Sequence, residues 1–169
     1  HRRVAVHSGH STGKSFVAAD IALWYKTAFP GSKVITTAPT TRQVEKVLWG
    51  ELRQRYRGAL VSLGGDMLPV EPMWKFPGNE FAIGFASKDY DPHAMSGFHA
   101  RHLLVIIDEA AGVSSNVWDA CTRLATGELN TILAIGNPGN STGPFHDACL
   151  ENPRWKTIHL DSTEHPNVI

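Results

Sequence analysis

With 169 residues, 42% of them hydrophobic and 19% charged, the chain has the makeup of one globular domain large enough to bury a real core. Sixteen basic residues balance sixteen acidic ones, so no global field argues for a polyanionic partner, and any such contact must be local. No apolar run is long enough to span a bilayer, and the run behind His1-Arg2-Arg3 is too short for a signal peptide.

The first predicted element is the short apolar strand Val4-Ala5-Val6. His7-Ser8-Gly9-His10-Ser11-Thr12-Gly13-Lys14-Ser15 follows it and opens an apolar helical segment over 16–29. Strand, glycine-bearing loop, Gly-Lys-Ser and helix make the phosphate-binding P-loop arrangement. Backbone N–H groups of such a loop converge on phosphate oxygens, and the helix N-terminus adds partial positive charge. On this reading Ser8, Gly9, His10, Ser11, Thr12 and Gly13 cradle the nucleotide phosphates, Lys14 supplies a point charge, and the Ser15 hydroxyl ligates Mg²⁺. The motif asks for glycine where Ser8 stands. A serine makes the turn if its φ stays negative, with Gly9 expected to take the special conformation.

Pro30-Gly31 marks a turn. Residues 33–38, rich in β-branched side chains and stopped by Pro39, read as a strand. Thr40 or Thr41 caps a helix predicted to run to about Gly58, with Val44, Val47, Leu48, Leu52 and Tyr56 on one side. At about 100° per residue the same helix gathers Arg42, Lys46, Arg53 and Arg57 into an arc of roughly 60°. That stripe starts at a strand end, where α/β sheets place their ligands, so Lys46, Arg53 and Arg57 are candidate contacts to a DNA backbone. A solvated face balanced by Glu45 and Glu51 is the bland alternative. Residues 59–79, with Gly64-Gly65, three prolines and Trp74, read as an irregular loop or small insertion in which Trp74 is a packing anchor. Alternation over 80–87 gives a strand with Phe81, Ile83 and Phe85 on one face. Residues 88–101 read as a polar, mobile loop. His93, His99 and His102 lack metal-ligand geometry.

The continuous apolar run over 103–107 suits a central parallel strand buried on both faces, and it ends in Asp108-Glu109. A Mg-nucleotide site needs a carboxylate for the metal on a neighbouring strand end and a group that positions the attacking water. Adjacent residues at a strand end point to different sides, so Asp108 is assigned to the metal and Glu109 to catalysis. Two further strands, 33–38 and 80–87, lie between the P-loop strand and this one. Together with the glutamate they fit the additional-strand, catalytic-glutamate class of P-loop ATPases. The expected fold is an α/β P-loop NTPase, a three-layer sandwich with a mostly parallel central sheet. A helix at about 114–126, carrying Val117, Trp118, Cys121 and Leu124, packs back on that sheet. The next buried strand, 131–135, ends in Gly136-Asn137-Pro138-Gly139. There Asn137 is placed to sense the γ-phosphate or the lytic water, unless Asn-Pro-Gly is only a turn. A short helix over 145–150 and a strand over 155–160 complete the chain's regular elements. Cys121 and Cys149 sit in apolar helical contexts and read as buried thiols in a reducing compartment.

Taken together, Ser-Gly-His-Ser-Thr-Gly-Lys-Ser (8–15), Thr-Ala-Pro-Thr-Thr-Arg-Gln-Val (37–44), Ile-Ile-Asp-Glu-Ala (106–110), Ile-Gly-Asn-Pro (135–138) and Ser-Thr-Gly-Pro-Phe-His-Asp-Ala (141–148) resemble the large terminase subunit of tailed bacteriophages. That subunit is the ATP-driven motor that pushes viral DNA into a procapsid. The resemblance runs across nearly the whole chain. It implies a Walker A motif at 8–15, Asp108 as the Walker B acid, Glu109 as the catalytic glutamate, and Gly136, Asn137 and Pro138 as the motif coupling hydrolysis to DNA movement. It implies ATP and Mg²⁺ as cofactors, and double-stranded viral DNA, the portal or procapsid and the small terminase subunit as partners. It further implies a homo-oligomeric ring in the cytoplasm of the infected bacterial host, away from any membrane. A neighbouring subunit is expected to supply an arginine, with Arg101 the first candidate and Arg42 the second. Terminases also have an upstream adenine-holding segment and a C-terminal nuclease. The chain starts three residues before its first strand and ends at Pro166-Asn167-Val168-Ile169, so 1–169 reads as a single ATPase domain from a longer protein. Asp161 and Glu164 alone make no two-metal nuclease site. Two other readings stand beside this one. A helicase-type DNA-dependent ATPase shares Asp-Glu-Ala after the acidic strand, and a non-catalytic nucleotide switch has Ser8 as its best argument.

Overall fold

The apolar runs of the sequence become strands that lie side by side in an order different from their order in the chain. The computed structural model describes residues 1–89, 98–150 and 152–161; His93, Glu164 and the 90–97 part of the expected mobile loop lie outside them. The elements are β1 (Arg3–Ser8), α1 (Lys14–Ala28), β2 (Lys33–Ala38), a π-helical stretch (Gln43–Leu48) continuing as α2 (Trp49–Gly58), β3 (Asp66–Met67), β4 (Met73–Lys75), β5 (Phe81–Ala86), β6 (Leu103–Ile107), α3 (Ser115–Leu124), β7 (Thr131–Gly136), α4 (Pro144–Leu150) and β8 (Lys156–Leu160). They form one sheet in the order β3-β4-β5-β2-β6-β7-β1-β8. All pairings from β5 to β8 are parallel, and β3 and β4 add an antiparallel edge.

Alternation along each strand divides the core in two. Leu103, Val105, Ile107, Ile132 and Ala134 face Val117, Trp118, Cys121, Phe145 and Ala148 of α3 and α4. Leu104, Ile106, Leu133 and Ile135 face the other way, onto Ala18, Ala22, Leu48 and Leu52 of α1 and the π–α2 helix. Two helical layers therefore sandwich the sheet, and β2 and β6, with every residue buried, are strands that both layers cover. The sheet also corrects the location of the additional strand. It is β7 that lies between the P-loop strand and the acidic strand, while β2 and β5 lie on the far side of β6. Chain order and sheet order differ because each parallel step needs a crossover that can land beyond its neighbour.

Thr40 caps the helix after β2. Its hydroxyl accepts the Gln43 N–H at 3.3 Å, and the Gln43 side-chain oxygen accepts the Thr40 N–H at 3.0 Å, a reciprocal capping box. The helix then departs from the uniform α-geometry expected. The Trp49 N–H donates to the Val44 carbonyl, five residues back, and the wider turn shifts the inward face by one position. Val44, Leu48 and Leu52 are buried as expected, but Val47 is 44% exposed and Trp49 is fully buried. The Trp49 indole N–H donates to Thr36 Oγ1 at 2.9 Å inside the core.

Residues 59–79 are less irregular than expected, since β3 and β4 pair there through Met67 and Trp74. Trp74 is fully buried, with its indole N–H on the Gly64 carbonyl at 3.0 Å. Arg53 is the clamp on this insertion. Its guanidinium donates to the carbonyls of Leu68 (2.9 Å), Glu45 (3.2 Å), Val70 (2.7 Å) and Glu71 (2.8 Å). Those bonds occupy the donors that the basic-stripe reading assigned to DNA. Cys121 is buried, whereas Cys149 is only half-buried, and burial pushes their thiols up to about 12 and about 11.

Candidate nucleotide site

Parallel strands deliver their C-terminal ends to one edge, and four of them carry the residues that the motifs point to. Loop 8–15 leaves β1, Thr37 lies one residue before the end of β2, Asp108 follows β6, and Asn137 follows β7.

The loop closes without a glycine at position 8. The left-handed residues are Ser11 (φ 58°) and Gly13 (φ 79°), so Gly9 does not take the special conformation expected of it. Ser8 is 1% exposed, and its hydroxyl lies 2.7 Å from Thr12 Oγ1, which in turn donates to the Gly9 carbonyl at 3.2 Å. The residue that breaks the motif thus ties one end of the loop to the other. Lys14 then opens α1 and returns across the loop. Its ammonium donates to the Gly9 carbonyl at 2.5 Å and to Asn137 Oδ1 at 2.8 Å. Burial lowers its pKa from the ordinary lysine value, and the Glu109 and Asp108 charges oppose that shift.

Ser15 reaches the acidic strand, with Oγ donating to Asp108 Oδ2 at 3.2 Å. The other carboxylate oxygen accepts the Glu109 N–H at 2.9 Å. Asp108 is 1% exposed. Burial, with a smaller push from the Glu109 charge, raises its carboxyl to about 6 against the pull of the Glu109 N–H, Ser15 and Lys14. Nearby, the Thr37 carbonyl accepts the Asp108 N–H at 2.8 Å, and the buried Thr37 hydroxyl has no partner among the described residues.

Glu109 is aimed by a turn rather than by strand alternation. It is a non-glycine residue at φ 48°, ψ 45°, followed by a 3₁₀ turn over Ala110–Gly112. A left-handed glutamate costs free energy and is held only where its surroundings over-determine it. One such constraint is Gly136. A Cβ there would lie 3.0 Å from the Ala110 nitrogen and 3.2 Å from the Phe145 ring, so the end of β7 seats directly on the turn that presents Glu109. Asn137 completes the edge. Its Oδ1 accepts a hydrogen bond from Lys14 Nζ, and its Nδ2 lies 3.0 Å from both ring nitrogens of His10. Beside it the chain turns sharply, with the Gly139 N–H on the Asn137 carbonyl at 2.8 Å, and Pro138 follows at the rim.

The structure thus brings Ser8 to Ser15, Asp108, Glu109, Gly136, Asn137 and Pro138 to one edge. Arg42 follows β2 on that same edge and is exposed, whereas exposed Arg101 precedes β6 at the opposite edge. Lys46 and Arg57 are exposed on the π–α2 helix. Sequence reasoning missed the Ser8–Thr12 bridge and the His10–Asn137 contact, which no motif spacing announces.

No family model matches the chain. A probable terminase large subunit of Enterobacteria phage P7 is 31% identical over 162 residues, covering 85% of this chain and 30% of that protein; the chain thus spans about 30% of the length of this relative. The ATPase domain of the Thermus phage P74-26 large terminase, as an arginine-to-alanine mutant, superimposes with a TM-score of 0.78 at 19% identity, over 96% of this chain and 77% of that one. A large terminase from a thermophilic bacteriophage in complex with ADP gives 0.72 at 13% identity, over 94% and 40%. The HK97 bacteriophage large terminase gives 0.64 at 16% identity, over 82% and 30%. The chain is a sequence relative of a phage terminase large subunit, and it has the P-loop fold of the large-terminase ATPase domain.

Proposed function

We propose that the chain is the ATPase domain of a phage terminase large subunit, hydrolysing ATP to drive viral DNA into a procapsid. The observation that carries this reading is the convergence of Lys14, Ser15, Asp108, Glu109 and Asn137 on one sheet edge through direct contacts. The residues present suit the cofactors. The Ser15 hydroxyl and the Asp108 carboxylate, 3.2 Å apart, are hard oxygen donors of the kind that share Mg²⁺ with nucleotide phosphates. Lys14 already rests on two protein oxygens, the Gly9 carbonyl and Asn137 Oδ1, and phosphate oxygens are stronger acceptors of the same kind. Bound Mg-ATP supplies an electrophilic γ-phosphorus and a diphosphate leaving group. Lys14 holds positive charge where negative charge builds in the transition state. Glu109 orients the attacking water and takes its proton, and Asn137 offers its amide beside them. Gly136 seats the end of β7 against the turn that follows Glu109, and with Asn137 and Pro138 after it this strand end suits a coupling element.

On the same reading residues 1–169 make one ATPase domain, working in a homo-oligomeric ring in the cytoplasm of the infected host. Its partners are double-stranded viral DNA, the portal or procapsid and the small terminase subunit. Exposed Lys46 and Arg57 are the DNA-contact candidates left once Arg53 is committed to the insertion, and Arg101 and Arg42 are the candidates for the arginine given to a neighbour. The reading is tested at Glu109. Replacing it with Gln is expected to lower kcat about a hundredfold or more while ATP affinity stays within about twofold of the parent, measured by steady-state turnover and equilibrium nucleotide binding. A Glu109→Gln protein that still turns over removes Glu109 from the role.

A further inference from the structure

We propose that His10 is a positioning residue for Asn137, fixing which atom of its amide faces the phosphate side of the site. This deepens the ATPase reading and rests on it for the catalytic consequence, though not for the contact itself.

The P-loop pattern uses position 10 only for its backbone, and nothing in the motif asks for histidine. The geometry gives it work. Asn137 meets two residues of the same loop through the two ends of one amide, Lys14 Nζ at Oδ1 (2.8 Å) and the His10 ring at Nδ2 (3.0 Å). An ammonium has donors and no acceptor, so Lys14 demands the amide oxygen. The amide NH₂ then faces the His10 ring at 3.0 Å from each of its nitrogens, and the ring's tautomer sets which of them can accept. The two contacts agree on a single orientation of Asn137.

Arrival of a phosphate affects the two contacts differently. Lys14 is held by the Gly9 carbonyl at 2.5 Å and by Asn137, and it must release protein oxygens to reach phosphate oxygens. Asn137 then loses the donor that fixed its Oδ1, and only His10 still holds Nδ2. With His10 in place the freed Oδ1 stays turned into the site, ready to accept a hydrogen bond from the attacking water opposite Glu109. Without it the amide is free to flip and present a donor where an acceptor is needed. The His10 side chain touches neither water nor phosphate in this scheme and acts only through Asn137.

The test separates contact from catalysis. In the 169-residue chain without nucleotide, heteronuclear NMR of the imidazole nitrogens is expected to show the His10 ring shifting on Asn137→Ala. An unmoved His10 ring overturns the proposal whether or not the protein hydrolyses ATP. Steady-state ATPase kinetics give the second readout. His10→Ala is expected to lower kcat about tenfold, the loss of roughly one net hydrogen bond, with KM for ATP within about twofold. His10→Gln retains a side-chain acceptor and is expected to recover most of the loss, whereas His10→Lys, which offers donors only, stays as low as Ala. The double variant His10→Ala, Asn137→Ala is expected to be no slower than Asn137→Ala alone, the sign of two groups acting as one. Multiplying losses, or a His10→Lys protein as fast as the parent, would refute the positioning role. A parent protein without ATPase activity defeats the proposed ATPase function and leaves the ring-nitrogen result to decide the contact.

Discussion

Asp108 is a buried carboxyl that folding would rather keep neutral. Burial raises it to about 6 from an unfolded value near 3.9. Between those values the folded chain holds a proton that the unfolded chain has lost, so stability falls as pH rises through that window. The metal- and nucleotide-free protein is therefore expected to lose up to about 3 kcal/mol through this one group between pH about 4 and about 7. Asp108→Asn is expected to flatten that part of the profile and to be the more stable protein at neutral pH, while losing Mg-dependent nucleotide binding. Urea unfolding at pH 5 and pH 7.5 measures both effects, and an Asn variant with the parent's pH slope would mean the charge is tolerated. On that expectation Asp108 costs stability in the metal-free domain, a cost that the proposed cation would offset. Asp108 itself was legible because an acid after five apolar residues is a pattern along the chain. The hydroxyl bridge from Ser8 to Thr12 was not, because it replaces what glycine does in the backbone with a side-chain contact. Ser8 is the best argument for a non-catalytic switch, and the bridge shows that the loop closes with serine at that position.

At the scale of elements a tightly packed position lies away from the chemistry, where the π–α2 helix meets β5. A Cβ on Gly84 would lie 2.3 Å from the Trp49 indole nitrogen, 2.7 Å from Val44 Cγ1 and 2.8 Å from Thr36 Oγ1. All three neighbours are buried, so none can give way cheaply. Gly84→Ala is expected to break the indole bond to Thr36 and to destabilise the fold by about 2–4 kcal/mol, an overpacking cost plus a stranded buried donor. Chemical denaturation decides it, and a loss under about 1 kcal/mol would show that the helix slides freely on the sheet. The same helix explains where reading the sequence stopped. Its existence, its Thr40 cap and the inward Val44, Leu48 and Leu52 follow from spacing. The π turn does not, because one extra residue per turn leaves no compositional mark, and it exchanges Val47 for Trp49 on the inner face. The position of β7 was hidden for another reason. Its apolar run marks a buried strand, but which neighbours it joins is set by crossovers that fold many residues away. The pairing of β3 with β4 is too short to rise above the glycines and prolines around it.

For the whole molecule, the two edges of the sheet divide the work. Every residue assigned to phosphate, metal or water lies at the C-terminal edge, and Arg101 stands two residues before β6, at the other. Five residues of strand at about 3.3 Å each put roughly 16 Å between the two ends of β6, so Arg101 cannot serve the Glu109 of its own chain. Arg42 follows β2 on the site's edge, and a role for it in its own subunit is open. The two candidates therefore part company by experiment. Arg101→Ala is expected to leave turnover of the dilute monomer unchanged and to cut turnover of the assembled motor by a large factor, about a thousandfold if it acts as a full arginine finger. Mixing supplies the sharper reading. An Arg101→Ala subunit keeps its Glu109, and a Glu109→Gln subunit keeps its Arg101, so each pairing in the right order rebuilds one complete site. Rings mixed from the two dead proteins should regain a share of the parent's rate. If they stay as inactive as either parent ring, or if the monomer loses as much as the ring, Arg101 gives nothing across the interface. The arginine would then have to be sought at Arg42, on the edge where the chemistry sits.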